Sequence, residues 1–396
     1  MNTRDLKVAL VHDFLNQYGG AEKVLEVFGE MFPEAPIYTI IYDKKKMRGK
    51  FFGRDIRASF FQKWPKFFRR RIKYFLPLFP TVPETFDLRE FDLVISSSGA
   101  WSKGIVTRLN TTHIAYVHSP MRFVWDSNER YLKEERKEKL GFIIRPVLSY
   151  FRLWDRLAAD RPDYLIANSK YTQARIKKYY RRESEVIYPP VNFKFRISNF
   201  ELNHNFKNSN LEIESKLKIQ NSKFFLIISR LSAYKKIDTV IEAFNKLELP
   251  LVIVGEGKEE KRLRAMANKN IKFLGWQPDD KLPGLYSGAK ALISASVEDF
   301  GLSMAEAMAS GIPVISIKKG GAEEIVEEGK TGEFFESATP EVLADAVRRF
   351  SEKETAYDRE YIKQRAERFG KERFKKEMNE FITHIAYNMK HATHNK

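Results

Sequence analysis

The sequence contains no cysteine. Disulfides, thiolate zinc sites and cysteine nucleophiles are therefore excluded. It also lacks any apolar run near the ~18 residues that a membrane-spanning helix needs. The longest candidate, Gly141-Phe-Ile-Ile-Arg145-Pro-Val-Leu148, is short and broken by arginine and proline. The first seven residues are polar and lead straight into an apolar stretch, unlike a signal peptide. These features predict a soluble cytoplasmic protein. Several signatures are missing too. No Asp-x-Asp occurs, so no carboxylate pair for a metal-bound diphosphate is evident and no metal site is expected. H-E-x-x-H, G-x-S-x-G, a Walker loop and G-x-G-x-x-G are also absent.

Acid is scarce relative to base. There are 69 Lys and Arg against 52 Asp and Glu, a formal charge of +17. From Lys44 to Lys73, thirteen basic residues face one acid, Asp55. Within that stretch lies Phe60-Phe-Gln-Lys63-Trp64-Pro-Lys66-Phe67-Phe68-Arg69-Arg70-Arg71. Rings interleaved with cations suit an anionic membrane surface, where aromatics reach the headgroup level and Lys and Arg meet phosphates. Nucleic acid would satisfy the same chemistry. A solvated basic face over ordinary core aromatics is the plainer alternative. The membrane surface is the reading adopted, with no nucleic-acid partner.

What the chain has is enough apolar material for a sizeable core, 43% over 396 residues, a length that suits two or three domains. Continuous apolar runs fall at 8–11, 37–41, 93–96, 114–117, 164–167 and 186–188. Runs without alternation predict buried parallel strands. Helical stretches are expected between them, at 21–31 and 170–180. A second series restarts at 224–229 and continues at 251–254, 271–274, 291–294 and 313–317, with helices at 238–247, 259–268, 303–309 and 322–328. Residues from 340 to about 390 are charged and helical by pattern. The expectation is α/β: two doubly wound, Rossmann-like parallel-sheet domains facing a central cleft. The expected boundaries are 1–195 and 223–370, a polar linker at 196–222, and a last helix at 371–396.

Five places carry chemistry. The stretch Ser294-Ala-Ser-Val-Glu298-Asp-Phe300-Gly301-Leu302-Ser303-Met-Ala-Glu306 sets two carboxylates eight positions apart, around a loop and the start of a helix. Such a loop, at a strand's C-terminal end, favours an anion through free N–H groups and the helix dipole. The amides of Phe300, Gly301, Leu302 and Ser303 would face a phosphate or sugar hydroxyls. Ser303-x-x-Glu306 equally fits a capping box. Arg230 and Lys235 follow the first strand of the second half. They suit a diphosphate leaving group, or form a surface charge pair. Gly19-Gly20-Ala21-Glu22 joins the first strand to the first helix, and paired glycines allow close backbone approach to a ligand, or a plain turn. His118 ends a strand of the first half and would face the cleft, or is a satisfied loop histidine; His113, at the same strand's start, reads as structural. Gly255, in Val254-Gly255-Glu-Gly257, ends a strand and leaves room for a base.

Together these residues resemble a retaining glycosyltransferase of family 4, with the two-domain GT-B fold. The Glu298/Glu306 pair, the Arg230/Lys235 pair, Gly19-Gly20-Ala-Glu and Ala167-Asn-Ser169 stand in the family's order. Tyr116-Val-His118-Ser-Pro-Met-Arg-Phe-Val-Trp125-Asp126 is further similar to O-antigen-type mannosyltransferases. The resemblance implies a hexosyltransferase taking mannose from GDP-mannose, with no metal, onto a lipid-linked or polysaccharide acceptor. That places it on the inner membrane face, in surface glycan synthesis. It implies that Arg230 and Lys235 hold the diphosphate and Glu306 the ribose. Glu298 and the amides of Phe300 and Gly301 would hold the sugar, Gly20 would line the phosphate side, and His118 would contact the sugar. The tail helix would cross back to the first domain. Two departures stand out: Lys236 occupies a position where the family usually has Gly, leaving a one-residue ambiguity over the catalytic lysine, and Ser229 precedes the arginine. Alternatives are a UDP-sugar transferase, an epimerase, a phosphorylase, or a non-enzymatic membrane- or nucleic-acid-binding protein driven by the basic segment.

Overall fold

The structure is a computed structural model that describes residues 6–65, 67, 72–126, 141–191 and 223–394. The chain divides into two compact units, Met1–Pro190 with Glu372–Lys396, and Val191–Lys371.

The first unit is built on a seven-stranded parallel sheet. Its strands are β1 (Val8–His12), β2 (Ile37–Thr39), β3 (Ile56–Ala58), β4 (Leu93–Ser98), β5 (Thr112–Val117), β6 (Tyr164–Ala167) and β7 (Glu185–Val186). Their order is β3-β2-β1-β4-β5-β6-β7. Every residue of β1, β4 and β5 is buried, which is why these strands read as continuous runs. Helices α1 (Gly20–Met31), α2 (Arg122–Trp125), α3 (Gly141–Ala158) and α4 (Lys170–Tyr180) follow in sequence. One core sets Val24, Leu25 and Phe28 of α1 against Leu10, Ile95, Ile114 and Tyr116. Another gathers Ile41, Phe61, Phe79, Trp101, Leu148, Phe151 and Trp154.

The second unit holds a six-stranded parallel sheet of β8 (Phe224–Ile228), β9 (Leu251–Val254), β10 (Ile271–Gly275), β11 (Ala289–Ser294), β12 (Val314–Ile317) and β13 (Gly332–Phe335). The order is β10-β9-β8-β11-β12-β13. Its helices are α5 (Ile237–Leu247), α6 (Glu260–Met266), α7 (Leu282–Gly288), α8 (Leu302–Ala309), α9 (Ala322–Ile325), α10 (Pro340–Glu352) and α11 (Arg359–Ala366). The last helix, α12 (Lys371–His394), runs into the first unit's core through Phe374, Met378, Ile382 and Ile385.

The α/β class and two parallel sheets agree with the expectation, with local differences. Strands β3 and β13 were not expected: β3 is a three-residue edge strand with Arg57 exposed, and β13 carries Glu333 in an apolar run. Helix α3 was not expected either, because Arg145 and Pro146 interrupt its apolar run; Pro146 lies inside the helix. Val191 belongs with the second unit, since its N–H donates to the Phe369 carbonyl at 2.7 Å. The linker expected at 196–222 lies outside the described residues.

Candidate active site

In each sheet the strand order reverses once. In the second it reverses between β8 and β11, in the first between β1 and β4. Open α/β sheets bind ligands outside the carboxyl ends of their strands at such a switch point.

In the second unit the loop after β8 carries Arg230 and Lys235, and the loop after β11 carries Glu298. The structure joins them: Lys235 Nζ donates to Glu298 Oε1 at 2.6 Å, with both side chains largely shielded. Ser296 Oγ donates to the same oxygen at 2.5 Å. Arg230 is exposed and donates through Nη2 to the Tyr234 hydroxyl at 2.9 Å. The Tyr234 ring lies 5.1 Å from Lys235 Nζ, so one tyrosine touches both cations. Lys236 points the ambiguity toward Lys235, because Lys236 has a left-handed backbone (φ +55°) and starts α5. A left-handed residue is where glycine is cheapest, which accounts for the family's usual glycine there.

Helix α8 is capped by Gly301, at φ +108°, a conformation open chiefly to glycine. Ser303 therefore sits inside the first turn and does not cap the helix, so the capping-box reading is corrected. The Leu302 and Ser303 amides of the first turn have no intrahelical acceptor, whereas Met304 and Ala305 donate to the Gly301 carbonyl. Phe300 is buried, its ring 5.2 Å from Phe369. Glu306 is buried one turn into the helix and accepts from the Tyr286 hydroxyl at 3.0 Å. Burial pushes the Tyr286 hydroxyl pKa up, and the Glu306 charge adds to it. Gly255 follows β9, where its backbone meets the loop after β8. A Cβ there would lie 1.9 Å from the Ser229 carbonyl oxygen, so the glycine lets two loop backbones meet.

In the first unit the loops after β1, β4 and β5 converge. His12 Nδ1 lies 3.1 Å from Ser97 Oγ, and Ser97 Oγ lies 2.8 Å from His118 Nε2. Glu22 Oε1 stands 3.5 Å from His12 Nε2, and Glu22 Oε2 accepts the Gly19 N–H at 2.8 Å. Gly19 is extended, at φ −154°, and caps α1; its N–H serves Glu22, and Gly20 is the helix's first residue. Asp13 accepts the amides of Gly99, Ala100, Trp101 and Ser102 at 2.6–2.8 Å, which fixes the loop after β4. Burial lowers the His118 pKa to about 4, and the neighbouring His12 adds to the shift. His113 is fully buried against Ser96 Oγ at 2.8 Å, and burial lowers its pKa to about 3.

The 116–126 signature is largely braced from within. Asp126 pairs with Arg175 and accepts from the Tyr179 hydroxyl at 2.6 Å. Trp125 stacks on Tyr179 at 4.7 Å and donates to Asp155 Oδ2 at 2.7 Å. Asp155 is itself fully buried and paired with buried Lys103 at 2.5 Å. In the basic segment, Phe61 is buried in the core, whereas Phe52, Phe60 and Phe67 are exposed. Residues 66 and 68–71 lie outside the described set.

Sequence reasoning missed His12, Asp13, Ser97, Tyr234, Tyr286 and Ser296, and read Glu22 only as part of a glycine turn. Signals existed for some. His12-Asp13 stands at the end of the first strand, and Ser96-Ser97-Ser98 is an unusual polar run closing a buried one.

Residues 18–195 match the model of Glycosyltransferase Family 4, and residues 209–369 match that of Glycosyl transferases group 1. The chain belongs to the family 4 glycosyltransferases. Among its relatives is the Alpha-1,3/1,6-mannosyltransferase ALG2 of Dictyostelium discoideum, 26% identical over 46% of this chain and 50% of that protein. A probable sucrose-phosphate synthase of Thermosipho melanesiensis is 27% identical over 67% of this chain and 64% of that one. The GDP-mannose-dependent alpha-(1-6)-phosphatidylinositol monomannoside mannosyltransferase of Mycobacterium tuberculosis is 26% identical over 55% and 59%. The matches thus span about half to two-thirds of these relatives' lengths. In fold, the Anabaena Alr3699/HepE structure with UDP superposes with a TM-score of 0.72, covering 96% of this chain and 100% of that one at 20% identity. WaaG, a glycosyltransferase involved in lipopolysaccharide biosynthesis, gives 0.66 over 94% and 99% at 16% identity. This family member has the GT-B fold.

Proposed function

We propose that this family 4 member transfers mannose from GDP-mannose to a lipid-linked or polysaccharide acceptor, with retention of configuration, at the inner face of a membrane. The observation that carries the transfer reading is the 2.6 Å contact of Lys235 with Glu298 across the switch point of the second sheet. A sugar nucleotide joins an anionic phosphate to a ring of hydroxyls through one bond. A site for it needs a cation and a hydroxyl-accepting carboxylate a few ångströms apart, and this pair supplies both. In the reaction the bond from the sugar's anomeric carbon to the phosphate oxygen breaks. A bond to the acceptor oxygen forms on the same face, and the acceptor's proton passes to the departing phosphate. Lys235, Arg230 and the first-turn amides of α8 offset the charge that grows on that phosphate, the role that metal ions fill elsewhere. Glu306 is assigned to the ribose and Glu298 to the transferred sugar.

The choice of mannose rests on the 116–126 signature, with support from mannosyltransferases among the relatives. The membrane reading is supported by exposed Phe52, Phe60 and Phe67 in the basic segment. It is also supported by α3, which exposes Phe142, Tyr150, Leu153 and Leu157 at 74%, 48%, 61% and 56%. Among the described residues no helix is long and apolar enough to cross a membrane.

Calorimetry with a panel of nucleotide sugars tests the donor. GDP-mannose is expected to bind at least ten times more tightly than UDP- or TDP-sugars. Preference for a UDP-sugar would overturn mannose, and no binding by any of them would overturn transfer.

A further inference from the structure

The hydroxyl of Ser97 stands between two imidazole rings, 3.1 Å from His12 Nδ1 and 2.8 Å from His118 Nε2. A hydroxyl has one proton to give. With both rings neutral, one must accept that proton and the other must donate to the oxygen. Glu22 decides between the two arrangements. Its Oε1 faces His12 Nε2 at 3.5 Å, while its other oxygen is held by the Gly19 amide in the first turn of α1. A helix N-terminus favours the charged carboxylate. A carboxylate repels a bare ring nitrogen and attracts an N–H, so the His12 proton belongs on Nε2. His12 Nδ1 then accepts from Ser97, and Ser97 Oγ accepts from His118 Nε2–H. His118 is left with an unprotonated Nδ1, to which no described residue is seen to hydrogen-bond.

We propose that Glu22, His12 and Ser97 are positioning residues that hold His118 in the Nε2–H tautomer, so that its Nδ1 accepts a hydrogen bond from a hydroxyl of a saccharide bound at the carboxyl ends of β1, β4 and β5 in the first unit. The second half of this statement rests on the transfer reading above; the tautomer itself does not. Burial keeps His118 neutral at pH 7, consistent with a ring that accepts rather than one that binds an anion. The titratable groups facing it are His12, Asp13 and Glu22. A ring with fixed Nδ1 acceptance selects a hydroxyl over a phosphate oxygen, which has no proton to offer at that pH.

The test is long-range proton–nitrogen correlation spectroscopy on nitrogen-labelled protein, with the His118 signals assigned by their loss in His118→Gln. In the wild-type protein at pH 7, His118 is expected to show a protonated Nε2 and a bare Nδ1. In Ser97→Ala it is expected to show averaged tautomers, and Ser97→Thr, which keeps the hydroxyl, should restore the pattern. Mannosyl transfer in Ser97→Ala is expected to fall about tenfold, the scale of one misaligned hydrogen bond, and to recover in Ser97→Thr. A protonated Nδ1 on wild-type His118 overturns the proposal without any variant having to fold. An unchanged His118 pattern in Ser97→Ala also overturns it. If no nucleotide sugar is turned over and the expected tautomer pattern is found, the positioning chain stands and the transfer reading falls.

Discussion

Lys235 and Glu298 hold each other at 2.6 Å, so each side chain is already oriented by its partner. On the proposed transfer reading, removing Lys235 takes away the cation assigned to the leaving group, and it leaves Glu298 without its counter-charge. Lys235→Ala is expected to lower kcat by two or more orders of magnitude, about 3 kcal/mol of lost charge stabilisation. Glu306→Ala should lower kcat/KM for the donor by a similar factor through lost donor binding and orientation, since the carboxylate is buried beside Tyr286. Steady-state assays across a range of donor concentrations measure both, and near-normal kcat and kcat/KM in both variants would sink the site assignment. Buried His113 and partly buried His118 give a second prediction. Their pKa values, about 3 for His113 and about 4 for His118, lie below the ordinary value near 6.5. The unfolded chain therefore takes up protons that the folded chain refuses. The stability they contribute is complete above pH 6.5 and is lost as pH falls toward those lower values. Below pH 6.5 each ring's loss should steepen toward a limiting slope of about 1.4 kcal/mol per pH unit near pH 5. Denaturant unfolding across that window measures the slope, and His113→Gln is expected to reduce it by about one proton's worth.

At the scale of single elements, α3 has apolar residues on two sides. Leu148, Phe151 and Trp154 face the core, while Phe142, Tyr150, Leu153 and Leu157 are exposed at spacings that keep them on one stripe. Helical spacing sets Arg145, Arg152 and Arg156 along one border of that stripe. Arg152 reaches the Val124 carbonyl at 3.0 Å and Arg156 pairs with Asp160 at 2.6 Å. An interfacial helix on an anionic surface has this distribution. Leu153→Glu with Leu157→Glu, or Ser in place of Arg69, Arg70 and Arg71, is expected to release the protein from vesicles of anionic lipid. Co-sedimentation measures it, and unchanged pelleting of both variants would reject the membrane reading. This helix also marks where the sequence stopped being legible. The buried strands were readable because burial on both faces leaves no alternation to misread, as in β1, β4 and β5. A helix apolar on two faces has no single stripe to find, and Pro146 inside it reads as an end. In the site, Lys235 and Glu298 could be read because motif spacing places them after adjacent strands. Their direct contact could not, since a separation of 63 positions in sequence carries no distance. His12, Ser97 and His118 meet only because β1, β4 and β5 are neighbours, a fact of sheet order that separate motifs do not encode.

On the scale of the whole molecule, the chain leaves the first unit at Pro190 and returns to it at Glu372. The returning helix α12 is part of the first unit's core. Phe374 is fully buried, its ring 5.4 Å from Phe28 and 5.8 Å from Tyr116. Around it, Arg373 donates to the Tyr188 carbonyl at 2.8 Å, and Lys375 pairs with Glu30 at 2.8 Å. Helix α1, which Gly19 and Glu22 start and which carries the carboxylate facing His12, is thus packed against residues over 340 positions later in the chain. Truncating a buried phenylalanine to alanine typically removes about 3–5 kcal/mol. The second unit holds none of these contacts, so the loss should be confined to the first. Phe374→Ala is expected to raise hydrogen exchange in α1 and β5 by a hundredfold or more, while amides of β8, β9 and β11 keep the wild-type rate. Mass spectrometry of the exchanging peptides measures both units in one sample. Equal acceleration in the two units would mean that they unfold as one, and that the last helix does not belong to the first unit alone.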